Sequence, residues 1–207
     1  MAMKDKAIYL VRHGELQGED GGRRFIGQLD LPLTAEGIRQ AEALRRFFAD
    51  RPFDAVYCSD LIRARQTADI VAGSDRPVFP CRELREIALG KWEGMPFVVV
   101  RRDHPRAFAE RGWDIAGYRP PGGESFADCR ARMLPAFEAI VRSPFASVLM
   151  VGHAGVNRII LCHVLGMPLA NIFRLGQDYG RVSLIRRRRD GFVAEYINLP
   201  VDAADAR

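Results

Sequence analysis

The sequence predicts an α/β fold: a three-layer α/β/α sandwich with a mostly parallel central sheet and helices on both faces. Three observations carry this. Continuous apolar runs at residues 7–11 (Ala-Ile-Tyr-Leu-Val) and 147–151 (Ser-Val-Leu-Met-Val) read as strands buried on both faces. Amphipathic helical stripes separate the strand-like runs. Strand and helix alternate along most of the chain, the pattern of a sheet covered by crossover helices.

The elements follow in order. After the first strand, glycines, charges and Pro32 make a long loop. Thr34 is a good N-cap, and Ile38, Ala41, Leu44 and Phe48 form a helical stripe to about residue 50. A short strand is expected at 54–58. A helix capped by Ser59 or Asp60 then runs to about residue 71. A third strand is expected at 77–81. Residues 82–123 are the least regular. A helix is predicted there over 97–111, although Pro105 lies inside it. The box Ser125-Phe126-Ala127-Asp128 starts a helix that buries Phe126, Cys129, Met133, Phe137 and Ile140, with a kink or restart at Pro135. The strand at 147–151 leads into a helix over 155–165, which stops at Gly166 and Pro168. The end reads as a hairpin, 181–188 and 192–197, turning at Asp190-Gly191.

Composition narrows the class. At 207 residues, 48% hydrophobic and 28% charged, the chain suits one globular domain spanning 1–207. No apolar run approaches the ~20 residues that cross a bilayer, and Arg12 interrupts the only candidate signal segment. Cys58, Cys81, Cys129 and Cys162 sit singly, which argues for reduced thiols in a cytoplasmic protein. The net charge is +5, and only three of the 31 basic residues are lysine. Arginine grips phosphate or carboxylate with a planar fork. The run Arg186-Arg187-Arg188-Arg189 alternates faces in a hairpin. It reads as a solvated edge that discourages strand pairing, and no nucleic-acid-binding motif accompanies it.

One layout occurs twice. Leu10-Val11-Arg12-His13-Gly14-Glu15 and Met150-Val151-Gly152-His153-Ala154-Gly155 each place a histidine just beyond a buried strand. Ligands of open α/β sheets bind beyond the carboxyl ends of the strands, so both histidines are expected at one edge. Arg63 follows the second strand, and Glu83 and Glu86 follow the third. Two imidazoles and two arginines at one edge suit phosphoryl transfer: arginines neutralise the equatorial oxygens, and a neutral imidazole is a competent nucleophile. A nearby carboxyl group can protonate the leaving alcohol. His104 and His163 read instead as packing or hydrogen-bonding residues.

The segment Leu10 to Glu15, with four further stretches in order, resembles the histidine phosphatase superfamily, which includes cofactor-dependent phosphoglycerate mutase. The stretches are Asp30-Leu31-Pro32-Leu33-Thr34 with Gly37 and Gln40-Ala41, Cys58 through Ala68, Leu84-Arg85-Glu86 with Gly90-Lys91-Trp92-Glu93-Gly94, and Val151 through Gly155. The resemblance implies a phosphoglycerate mutase-like fold and a role for each residue. His13 would attack phosphorus, while Arg12, Arg63 and His153 would hold its oxygens. Glu86 would protonate the leaving group and then activate water, a choice over Glu83 that the residues alone leave open. Gly27 and Ala154 would approach the substrate. Residues 82–123, which carry Trp92, Trp113, Tyr118 and Arg119, would form a lid; its aromatics could stack on a base-like leaving group, or the two tryptophans simply pack the lid onto the sheet. One departure is Glu19, which stands where the family often has a phosphate-binding asparagine.

The expected activity is metal-independent hydrolysis of a small phosphomonoester through a phosphohistidine, with no cofactor. Pro120-Pro121-Gly122-Gly123-Glu124-Ser125, Leu165-Gly166-Met167-Pro168 and Asp178-Tyr179-Gly180 resemble α-ribazole phosphatases and broad-specificity relatives. The first alternative is a mutase, whose resemblance would include a Trp-Asn pair and a central insertion that this chain lacks. The second is a catalytically silent scaffold. The expected partner is a small phosphorylated substrate, with neither nucleic acid nor membrane; a homodimer is compatible with the sequence.

Overall fold

The computed structural model describes residues 5–17, 22–74 and 76–201. Its centre is a six-stranded sheet: β1 (Lys6–Arg12), β2 (Ala55–Cys58), β3 (Val78–Pro80), β4 (Ser147–Gly152), β5 (Val182–Arg188) and β6 (Gly191–Leu199). The spatial order is β3-β2-β4-β1-β5-β6. The β3-β2, β2-β4 and β4-β1 pairings are parallel, and the C-terminal hairpin adds β5 antiparallel to β1. Six helices accompany the sheet: α1 (Ala35–Phe47), α2 (Ile62–Ala72), α3 (Phe97–Asp103), α4 (Pro105–Trp113), α5 (Phe126–Arg142) and α6 (Ala154–Val164).

The alternation of side chains along β1 divides the core in two. Ile8 and Leu10 pack with Cys129, Met133 and Phe137 of α5 and Ile159 and Ile160 of α6. Ala7, Tyr9 and Val11 face the other way, onto Leu44 of α1 and Ala64, Ala68 and Val71 of α2. The sheet is therefore covered on both faces, as its apolar strands require. Phe137 is fully buried, and its replacement by alanine should cost about 3–5 kcal/mol.

Local signals explain most element ends. Thr34 caps α1 by accepting from the Gly37 N–H at 3.0 Å. Ser125 and Asp128 form the expected capping box at α5, and the helix continues through Pro135 without restarting. Three expectations need correction. The N-cap of α2 is Leu61, not Ser59 or Asp60, and the loop residue Asp30 accepts the Ile62 N–H at 2.6 Å instead. Asp60 is engaged elsewhere, by Arg85. The helix expected over 97–111 is two helices broken at His104, because Pro105 lacks an N–H and occupies the first turn of α4. The arginine run lies on β5, between β1 and β6, so it guards no sheet edge. Arg186 and Arg188 pair there with Glu195, and the Arg187 guanidinium lies over Phe192.

Register positions the site. Arg12 of β1 pairs with Gly152 of β4, and the His13 N–H donates to the Gly152 carbonyl at 3.1 Å. The next residues of the two parallel strands, His13 and His153, thus emerge at one level of one sheet edge.

Candidate active site

His13 is fixed by its own backbone. Nδ1 of His13 lies 2.7 Å from the Gly14 carbonyl oxygen, which can only accept. Nδ1 therefore carries the proton, and Nε2 presents a lone pair. Nε of Arg63 donates to that Nε2 at 3.3 Å. Burial, and then the Arg63 and Arg12 charges, hold the His13 pKa well below its ordinary 6.5. The ring is neutral at pH 7.

Arg63 is itself fully buried and locked. Nη1 donates to the Leu29 carbonyl at 2.6 Å and Nη2 to the Gly27 carbonyl at 2.8 Å. Gly27 adopts φ +53°, and a Cβ there would meet Glu93 Oε1 at 2.6 Å, so only glycine fits. Arg12 donates from Nη1 to the Gln177 carbonyl at 2.7 Å, and its guanidinium lies 3.6 Å from the Tyr179 ring centroid.

His153 completes the group. Its ring centroid is 5.0 Å from that of His13. Both its ring nitrogens are buried without a hydrogen-bond partner, as is Arg12 Nε. Burial, and then Arg63, His13 and Arg12, hold the His153 pKa well below 6.5. Unpartnered polar atoms of this kind are costly in a folded protein and commonly mark a ligand position. They belong to the ring packed against His13 and to the residue that precedes it.

Glu86 lines the same cleft as His13. Its carboxylate accepts the Ile87 N–H at 2.9 Å and the Gly155 N–H at 2.9 Å. A Cβ on Gly155 would lie 2.4 Å from Glu86 Oε1, so the glycine permits this approach. Glu83, by contrast, is exposed and its carboxylate accepts from the Cys81 thiol. The Glu86 loop is clamped from α5: Arg132 donates to the carbonyls of Glu83 (2.6 Å), Arg85 (3.1 Å) and Glu86 (3.3 Å) and pairs with Glu124 at 2.8 Å.

These residues form the floor of a cleft of about 860 Å³. Arg12, His13, Gly27, Arg63, Glu86 and Ala154 line it as expected. His153 lies fully buried behind them. Of the aromatics singled out in the sequence, only Tyr118 reaches the cleft. Trp92 is buried and stacks on Tyr118, Trp113 is 85% exposed, and Arg119 pairs with Asp128 at the surface. The apolar walls come instead from residues such as Phe25, Phe97, Phe126 and Phe173. Glu19 lies outside the described residues. Sequence reasoning missed Gln177, which acts through its carbonyl and leaves no side-chain signal. It also missed Arg158, four residues after Ala154 and hence on the same face of α6. His104 is exposed at the α3-α4 junction, and His163 packs edge-on against Phe137.

The arrangement brings a neutral imidazole, neighbouring unpartnered nitrogens and a carboxylate to one cleft. Among the described residues no cluster of three His, Cys, Asp or Glu side chains is arranged to hold a metal ion. No described helix is long and apolar enough to cross a membrane.

Known proteins share this organisation. The adenosylcobalamin/alpha-ribazole phosphatase of Salmonella typhimurium is 33% identical over 185 residues, covering 86% of this chain and 89% of that one. A probable phosphoglycerate mutase GpmB of Yersinia pestis is 32% identical over 163 residues, covering 78% and 75%. The solved structure of Bacillus stearothermophilus YhfR superposes with a TM-score of 0.86 at 32% identity, covering 94% of this chain and 98% of that one. The family profile of the histidine phosphatase superfamily (branch 1) matches residues 8–200. The chain is an enzyme of that family: it belongs to branch 1 of the histidine phosphatase superfamily.

Proposed function

We propose that this enzyme hydrolyses a small-molecule phosphomonoester through a phosphohistidine, without a metal. One observation carries the reading: a neutral His13, its Nε2 facing Arg63 Nε, lies beside His153 and Arg12, whose buried ring nitrogens and Nε have no hydrogen-bond partner. In the first step His13 Nε2 attacks phosphorus, and the bond from phosphorus to the alcohol oxygen breaks. Glu86 gives its proton to that oxygen. In the second step Glu86 takes a proton from water, the water oxygen attacks phosphorus, and the nitrogen–phosphorus bond breaks to release phosphate. Arg12, Arg63 and His153 hold the equatorial oxygens throughout, supplying the positive charge that the transition state demands. Gly27 and Ala154 let the backbone approach the substrate, and residues 82–123 act as a lid.

Hydrolysis is favoured over phosphoryl return. A mutase must keep its phosphoenzyme dry, and this chain lacks the Trp-Asn pair and the central insertion expected of one. The scaffold reading is disfavoured because Arg12, His13, Arg63, Glu86 and His153 are all in place. α-Ribazole 5′-phosphate is the first substrate to try, given the relatives and the aromatic walls. The four cysteines are free thiols, in keeping with work in the cytoplasm.

The test is phosphate release in EDTA from α-ribazole 5′-phosphate, 3-phosphoglycerate, phosphoserine and p-nitrophenyl phosphate, with His13→Ala alongside. Release that disappears in His13→Ala supports the reading. Isomerisation of 3-phosphoglycerate without release would establish the mutase instead, and silence on all substrates would revive the scaffold.

A further inference from the structure

The cleft holds more positive charge than one phosphoryl group needs. Arg12 and Arg63 serve its floor, while Arg23, Arg24, Arg111 and Arg158 stand on its walls. The three acids that line it are already engaged. Glu124 pairs with Arg132, Glu86 accepts two backbone N–H groups, and Asp178 accepts from Asn198 Nδ2 at 2.7 Å. Arginines elsewhere, such as Arg85, Arg119 and Arg142, face carboxylates within ion-pair distance. None of the wall arginines does so among the described residues.

Arg111 and Arg158 are the most confined of the four. Arg111 comes from α4 and Arg158 from α6, from opposite sides of the chain's order. Their guanidinium carbons lie 5.7 and 5.6 Å from the centroid of one ring, Phe173, which is about half exposed. Arg111 also lies 5.5 Å from the Phe25 centroid. Arg158 uses Nε on the Leu175 carbonyl at 2.8 Å, and its two Nη groups have no acceptor among the described residues. Arg111 makes no hydrogen bond to any described residue. Burial lowers the pKa of both, the cost of holding cations against apolar surface. Glu86 and Asp178 act on Arg158 only from beyond ion-pair distance, and no acid acts on Arg111, so an anion reaching both guanidiniums gains charge-assisted contacts that the fold leaves unmade.

We infer that Arg111 and Arg158 form a second anion site, which receives a carboxylate or phosphate carried by the leaving alcohol. The inference rests on the phosphatase reading and ranks substrates within it. Phosphomonoesters whose alcohol bears a second anion are preferred over matched analogues whose alcohol is uncharged.

The test uses matched pairs: 3-phosphoglycerate against glycerol 1-phosphate, and propane-1,3-diol bisphosphate against 3-hydroxypropyl phosphate. The first pair reports a carboxylate and the second a phosphate. The doubly anionic member of at least one pair should show a kcat/KM about tenfold or more above its partner, the scale of one charge-assisted contact. Arg111→Gln and Arg158→Gln should each bring that ratio toward one. A ratio near one in the wild type, or a ratio unmoved by both substitutions, overturns the second site. Failure of the phosphatase reading looks different: no member of either pair releases phosphate. Calorimetry on the wild-type protein then decides the site alone, since the doubly anionic member must still bind about tenfold more tightly than its partner. Equal binding overturns it.

Discussion

Nε of Arg63 lies 3.3 Å from Nε2 of His13, and the other two nitrogens of that guanidinium are held by the carbonyls of Gly27 and Leu29. One side chain thus ties His13, the proposed nucleophile, to the loop before α1. Lysine would keep the charge but lose the fork that makes all three contacts at once. Arg63→Lys should lower kcat about 10²–10³-fold, the usual loss when a fixed transition-state donor is removed. Steady-state kinetics on p-nitrophenyl phosphate measures it, and a loss under fivefold would mean that Arg63 serves only the fold.

Glu86 is assigned to the leaving oxygen, so its importance should depend on the alcohol. Glu86→Gln should cost about 10²–10⁴-fold in kcat/KM on alkyl phosphates, whose alcohols need a proton. The cost should be much smaller on p-nitrophenyl phosphate, whose phenol departs as an anion. Equal losses on both substrates would remove Glu86 from the proton-donor role.

The two buried histidines make stability depend on pH. Both have folded-state pKa values well below 6.5, so between those values and 6.5 the unfolded chain binds more protons than the folded one. Stability is therefore undiminished above about pH 6.5 and falls as the pH drops below it. The slope is about 1.4 kcal/mol per pH unit for each histidine. Urea unfolding across pH 4.5–7.5 should show this slope, and it should shrink in His153→Gln. An unchanged slope in that variant would refute the attribution.

Arg132 touches the reaction only through the backbone of the Glu86 loop. Arg132→Met leaves Glu124 and three carbonyls without their partner and should cost about 1–3 kcal/mol in stability. Because Glu86 moves with its loop, kcat on alkyl phosphates should fall more than kcat on p-nitrophenyl phosphate. Denaturant unfolding with both kinetic assays checks it; a stability loss with equal kinetic losses would leave Arg132 purely structural.

The parts of this fold that were legible in the sequence are those where local chemistry and burial agree. The apolar runs at β1 and β4 and the stripe of α5 from Phe126 to Ile140 each carry their own signal. So do the strand–His–Gly junctions, because a parallel sheet brings its strand ends to one edge whatever the loops do. The misreadings lie where a distant residue decides. Asp30 caps α2 from 32 positions away, which no window around Ser59 reveals. The arginine run became an interior strand because β6 folded back onto it. The cleft walls were hidden for the same reason: Phe173, Arg111 and Arg158 meet only in three dimensions, whereas the conspicuous Trp113 faces away.

The pairing of Arg12 with Gly152 carries a consequence for how such an enzyme can diversify. The spacing between the two histidines is set by strand register alone, and a slip of one residue in either strand would turn a ring to the opposite face. Residues 97–113, by contrast, contribute no strand to the sheet. Insertions, deletions and substitutions there can reshape which alcohol is accepted without altering the distance between the rings. The reaction and its selectivity are thus separately heritable traits of one chain, the first rigidly constrained and the second free to drift.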